Sequence, residues 1–272
     1  MALHSSHLVL VFGLLGNAIS FFVYLAPLPT FYRIFKKKST EGFQSIPYSV
    51  ALFSAMLTLY YGTLKADGFM LITINSVGCV IEALYLIIYM IYANKSSRIY
   101  TLKILVLFNT IAYLLIVVLT TFLSHGSQRV NVVGWICAVF SVSVFAAPLS
   151  IMRLVIRTKS VEYMPFSLSF FLTLCATSWL GYGLAVEDYY IATPNVFGFG
   201  FGIAQMILYL IYKKKKNEIL PETKSQELAS EPCQMCKDDD NSNQTEEEAE
   251  RSVANMDKAA AESSELKICV TA

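Results

Sequence analysis

The chain has 272 residues, 55% of them hydrophobic, with 21 Lys and Arg against 20 Asp and Glu for a net charge of +1. A mean hydropathy of +0.53 is more than a soluble domain of this length tolerates, which excludes an ordinary cytosolic fold. The small net charge conceals two regions of opposite sign, about ten net positive charges in residues 1–216 and about nine net negative in 217–272, and neither points to a nucleic-acid partner.

Seven apolar stretches of about 20 residues are each long enough to cross a membrane as a helix. They lie near 7–32, 44–64, 69–92, 104–124, 131–153, 165–186 and 192–212. The first lacks a basic leader and stays apolar to Pro27, so it reads as a retained span rather than a signal peptide. Arg33 and Lys36 to Lys38 follow span one, Lys95, Arg98 and Lys103 span three, Arg153, Arg157 and Lys159 span five, and Lys213 to Lys216 span seven. The opposite connections carry only Lys65 and Arg129. Because Lys and Arg resist translocation, this asymmetry predicts an extracellular N-terminus and a cytosolic C-terminus. Beyond 217 the chain is acidic and poor in aromatics, so 217–272 is expected to be a disordered cytosolic tail.

No cofactor, metal or catalytic centre is expected. His4, His7 and His125 all fall near the outer surface with no nucleophile beside them. Cys233-Gln234-Met235-Cys236 has zinc-like spacing but no second pair. Cys79, Cys137 and Cys175 fall inside spans and form no disulfide framework. The sequons at Asn94 and Asn243 face the cytosol in this topology and read as chance matches.

The strongest internal signal is a repeat. Thr73-Ile74-Asn75-Ser76-Val77-Gly78 returns as Thr193-Pro194-Asn195-Val196-Phe197-Gly198, with Tyr89 and Tyr92 matched by Tyr209 and Tyr212. Ala26-Pro27-Leu28 pairs with Ala147-Pro148-Leu149, and Ile46-Pro47-Tyr48-Ser49 with Met164-Pro165-Phe166-Ser167. Each half is a three-span unit with its basic loops after the first and third spans, so the units run parallel and span four is the linker that keeps them so. The expected fold is therefore an all-α membrane protein of seven transmembrane helices in a 3+1+3 plan. Its parts are 1–95, the first repeat; 96–128, the linker helix; 129–216, the second repeat; and the tail. Parallel repeats about an axis along the membrane normal, with a site near the midplane, form one transporter pattern.

These residues carry a resemblance. Ala26-Pro27-Leu28-Pro29-Thr30-Phe31, Lys38-Ser39-Thr40-Glu41, Ile72-Thr73-Ile74-Asn75, Phe145-Ala146-Ala147-Pro148-Leu149, Lys159-Ser160-Val161-Glu162-Tyr163-Met164-Pro165-Phe166-Ser167 and Pro194-Asn195-Val196 resemble the plant SWEET sugar transporters over about residues 8 to 213. The resemblance implies a bidirectional facilitator, a uniporter moving sugars by alternating access. It also implies the plasma membrane as location and assembly into a homo-oligomer surrounded by membrane lipid.

A sugar offers hydroxyls that donate and accept hydrogen bonds, and a neutral amide does both. Asn75 and Asn195 could grip such a substrate, or could join helices, since Asn often bonds across membrane helices; the resemblance implies the first. It likewise places Trp179 beside the substrate, where an indole presents an apolar face to sugar C–H groups. At the matching position, where similar proteins carry a second tryptophan, this chain has Thr58; Ser54 is matched by Cys175. The implied pocket is thus unequal on its two sides. Val23 and Val144 form the matched small pair that accompanies sucrose as well as hexose transport in similar proteins. Pro27, Pro47, Pro148 and Pro165 are candidates for an inner gate through helix kinks, and the resemblance implies that Tyr61 and Asp188 close an outer one.

Two rival classes share seven spans. A proton-coupled carrier of amino acids built on the PQ-loop plan needs titratable groups along its path, and Glu82 is the one acid deep in a span. The expectation for Glu82 is structural, either hydrogen-bonded or protonated. A seven-helix receptor needs no parallel repeats and would be expected to carry an extracellular cysteine pair.

Overall fold

A computed structural model of the chain describes residues 2–161, 164 and 166–227, with side chains of 7–145, 148–161, 164 and 166–213. Every element among them is helical. The first repeat comprises α1 (Ala2–Leu25), α2 (Leu28–Lys37), α3 (Ile46–Thr63) and α4 (Phe69–Tyr92). The linker is one long rod, α5 (Lys95–Ile104), a π-helical segment Leu105–Ala112, and α6 (Tyr113–Leu123). The second repeat is α7 (Gly126–Val144), α8 (Ala146–Thr158), α9 (Phe166–Ala185) and α10 (Tyr189–Glu227). Helix α10 continues past the expected end of span seven into the segment assigned to the tail; residues 228–272, with Cys233, Cys236 and Asn243, lie outside the described residues.

Six helical stretches are long and apolar enough to cross a membrane by length and composition. The seventh spanning helix, α3, is less apolar because its hydroxyls face protein. Ser45 Oγ meets Thr101 Oγ1 just before the helix starts (2.6 Å), Ser49 Oγ donates to Asn109 Oδ1, and Tyr60 OH meets Thr120 Oγ1 (2.8 Å). These contacts succeed one another along the length of the linker and fasten it to the first repeat, satisfying polar groups inside the bilayer. The other face of the linker is apolar and open, with Leu107 and Phe122 exposed. The linker begins earlier than hydropathy indicates because the Asn94 side chain caps it, accepting from Ser97 N at 2.8 Å.

Spans one and five are each two helices. The chain breaks at Pro27, which precedes α2, and at Phe145, which precedes α8. Pro47 and Pro148 sit in the first turns of α3 and α8. A first-turn N–H has no partner within its helix, so proline there removes nothing. The breaks near Pro27 and Pro148 fall inside spans one and five, and Pro47 opens α3; Pro165 lies outside the described residues. Helices α2 and α8 both end on a lysine in the left-handed region, Lys38 (φ 53°) and Lys159 (φ 56°). Lys38 Nζ donates to Tyr92 OH (3.2 Å) and Lys159 Nζ to Tyr212 OH (3.3 Å), the same clasp in each repeat. Between α2 and α3, Glu41 pairs with Arg33 (2.6 Å) and Lys37 (2.5 Å). Partial desolvation would raise the Glu41 carboxyl, but the hydrogen bonds from Lys37 and Arg33 outweigh it and hold the group below the usual carboxylate range.

Each third helix is wedged between the other two of its unit: α4 between α1 and α3, α10 between α7 and α9. The units meet where α1 packs on α9 and α3 on α7, enclosing an axis between them. The turn from α3 to α4 is so tight that a Cβ at Gly68 would lie 2.0 Å from the carbonyl oxygen of Gly62. Only backbone movement could relieve that contact. Gly68→Ala should therefore destabilise the fold by about 3 kcal/mol, read as a loss of monodisperse protein on gel filtration after heating in detergent.

Candidate functional site

The two repeats converge on a narrow axial cavity of about 30 Å³. Asn75 and Asn195 line it from α4 and α10, Thr58 and Trp179 from α3 and α9, and Cys137 and Ser141 from α7. Ser54, Cys175, Val23 and Val144 are buried but do not line it. The central cavity therefore gathers four of the eight residues expected to bind substrate.

The amides are set identically. Asn75 Nδ2 donates to Leu71 O at 2.9 Å and Asn195 Nδ2 to Ile191 O at 2.8 Å, each one turn back on its own helix. One amide hydrogen is thus engaged on each side, and the carbonyl end is turned away from that bond. Asn75 Oδ1 is buried with no hydrogen-bond partner among the described residues, an acceptor left open at the axis. Pro194, beside Asn195, has no N–H to offer the carbonyl of Tyr190 four residues earlier.

Trp179 lies flat against bare backbone: a Cβ on Gly16 would be 3.0 Å from its Cε2. Its Nε1 donates to Ser20 Oγ (3.0 Å), and Ser20 Oγ is 3.2 Å from Cys175 Sγ. Tyr182 meets the indole edge to face at 5.5 Å. With its donor engaged, the indole has only carbon surface to present toward the cavity. Thr58, its repeat mate, offers a hydroxyl and a methyl, so the two walls differ as their sequences do.

The end of the axis at the α3–α4 and α9–α10 turns is closed by charge. Tyr61 OH donates to Asp188 Oδ2 at 2.7 Å, Lys65 Nζ bonds the same oxygen, and Lys65 lies 3.7 Å from Asp67 Oδ1. Asp188 Oδ1 accepts from Tyr190 N (3.0 Å) and Ile191 N (3.3 Å), so the same carboxylate caps α10. The repeat mate of Tyr61 is Tyr182, whose OH donates to Asp67 O at 3.0 Å. Each tyrosine thus reaches across the axis to the turn before the third helix of the other unit.

Three participants escaped sequence reasoning. Ser20 and Ser141 sit at the same repeat spacing as Val23 and Val144, and walking that register one turn further back would have found them. Lys65 looked like a loop charge; its only signal was its position one turn beyond Tyr61. Glu82 is fully buried, and neither of its oxygens has a hydrogen-bond partner among the described residues, so the hydrogen-bonded form expected of it is not observed. It does not line the axial cavity.

This fold and its axial cavity define a duplicated seven-helix membrane protein of the carrier class. A family model described as a sugar efflux transporter for intercellular exchange matches it twice, over residues 10–97 and 131–217, one match per repeat. The chain belongs to the MtN3/SWEET family. It is 56% identical over 224 residues to the bidirectional sugar transporter N3 of Medicago truncatula, covering 82% of this chain and 84% of that protein. It is 60% identical over 203 residues to the bidirectional sugar transporter SWEET11 of Arabidopsis thaliana, covering 75% and 70%. The 3.7 Å structure of a eukaryotic SWEET transporter superposes with a TM-score of 0.73 at 34% identity, covering 77% of this chain and 99% of that one. These relatives are named as transporters, not enzymes.

Proposed function

We propose that the chain is a bidirectional uniporter of sugars, sucrose and hexoses, working by alternating access in the plasma membrane with its N-terminus outside. The observation that carries this reading is the matched amide pair at the axis, one oxygen of it open and buried, beside an indole face with no charge in the wall. A neutral, hydroxyl-rich solute supplies the donors that Asn75 and Asn195 accept from, and its C–H face covers Trp179. Thr58 and Ser141 complete the polar lining, while Val23 and Val144, toward the proline level, leave width for a second sugar ring. Ser54 and Cys175 sit behind this lining and shape it.

A cavity of about 30 Å³ is far below the roughly 300 Å³ at which ligand pockets begin. Sugar therefore enters only after the helices part at one end. Tyr61 and Asp188 serve as the outer gate, and Pro27, Pro47, Pro148 and Pro165 as the inner joints. The alternative of proton coupling rests on Glu82, which lies off the cavity wall.

Purified protein in liposomes should equilibrate labelled sucrose, glucose and fructose in both directions, reaching the same internal level with or without a pH gradient. Accumulation of any of these sugars above the external concentration when a pH gradient is imposed would exclude the uniport mechanism.

A further inference from the structure

Outside the Tyr61–Asp188 contact lies a second cavity of about 490 Å³, within the roughly 300–1,000 Å³ of small-molecule pockets. Lys65, Asn131, Trp135, Asp188 and Thr193 line it, and Tyr61 and Tyr190 line both this cavity and the axial one. Trp135 is 61% exposed. Its ring is nonetheless fixed, edge to face with Tyr190 at 5.5 Å and 73°, and Tyr190 is edge to face with Tyr61 at 6.2 Å and 81°. Three aromatic rings thus run from the outer cavity to the gate. An exposed tryptophan near a membrane boundary is often only an interfacial anchor. An anchor has no need of a cavity with an amide and a hydroxyl in its wall, nor of a ring contact leading to the axial site.

We propose that this outer cavity is a sugar-docking vestibule, from which substrate is handed to the axial site. The proposal rests on the sugar reading of that site. Trp135 supplies an apolar face for the sugar ring, and Asn131 and Thr193 supply neutral groups that both donate and accept. Asp188 connects docking to opening. Its Oδ2 already accepts from Tyr61 and Lys65, and a sugar hydroxyl is a donor of the same kind. A docked sugar can take the place of the Tyr61 hydroxyl on that oxygen, so the gate bond is exchanged rather than broken unaided.

The chain has two tryptophans, one in each cavity, so emission from Trp179→Phe protein reports the vestibule and emission from Trp135→Phe protein reports the axial site. Purified full-length variants are titrated with sucrose and glucose, and with polyethylene glycol of equal osmolality as control. Trp135 emission should change saturably with sugar, and should still do so when Asn75→Ala and Asn195→Ala are added to disable the axial site. Adding Asn131→Ala should raise the half-saturating sugar concentration about threefold to tenfold, one hydrogen bond's worth. A flat Trp135 response while Trp179 responds would overturn the vestibule and leave the axial reading standing. Silence of both would overturn both. A Trp135 change that polyethylene glycol reproduces is a solvent effect and also overturns the proposal.

Discussion

Asn75→Ala and Asn195→Ala should each lower sugar uptake into proteoliposomes by about tenfold, because a hydroxyl that has left water then finds no partner at the axis, a loss of about 1–2 kcal/mol. The structural cost of either change is small. Each amide is tied only to its own helix, through Leu71 O or Ile191 O, so thermal stability in detergent should stay near that of the parent protein. Because both amides stand in the same geometry, the two variants should lose comparable activity, and the double variant should approach protein-free liposomes. Normal uptake by both single variants, measured with sucrose, glucose and fructose, would rule out the paired grip. Loss in only one would mean that sugar rests against a single wall.

The second large effect is expected at Asp188. This carboxylate accepts from Tyr61 OH, pairs with Lys65 and caps two N–H groups of α10 at once. Alanine leaves Lys65, whose side chain is only 15% exposed, with its more distant partner Asp67 alone, and losing one partner of a buried ion pair costs about 3–5 kcal/mol. The closed outer end should therefore lose its advantage. Cys137 lines the axial cavity and is 7% exposed, which makes it an internal reporter of that opening. A membrane-impermeant thiol reagent applied from outside should label Cys137 at least about tenfold faster in Asp188→Ala than in the parent, scored by mass spectrometry. Sugar exchange should fall in the same variant. Unchanged labelling would mean that the Tyr61–Asp188–Lys65 contact does not hold the outer end shut. Asp188→Asn keeps an acceptor for the cap but not the charge, and should fall between the two.

Much of this fold was legible because hydropathy and duplication are strong signals. Long apolar stretches separated the spans, and the recurring Thr-x-Asn-x-x-Gly placed Asn75 and Asn195 in register before any coordinates. Finer boundaries escaped for physical reasons. The Asn94 cap begins a helix among polar residues, where hydropathy sees only a loop. The breaks at Pro27 and Phe145 lie inside uniformly apolar sequence, where hydropathy is blind to a change of direction. Proline suggested a kink, but its position within the first turn, which decides what it does, depends on where each helix starts. Single-residue chemistry was hardest to read. Nothing in the sequence shows that the indole N–H of Trp179 is occupied by Ser20, or that Lys65 shares an oxygen with Tyr61, since both contacts join segments distant in the chain.

The crossed tyrosines have a mechanical consequence. Duplication gave the protein two latches of the same shape, but their catches differ: Tyr61 closes on a carboxylate, and Tyr182 on a backbone carbonyl. A hydrogen bond to a charged acceptor is roughly twice as strong as one between neutral groups. One half of the outer rim is therefore bolted and the other merely held. If this end opens, the Tyr182–Asp67 bond is expected to be the weaker of the two to resist it. A near-symmetric chain thereby carries two closures of unequal strength, the difference set by a single residue that one repeat has and the other, with Gly68 in its place, does not.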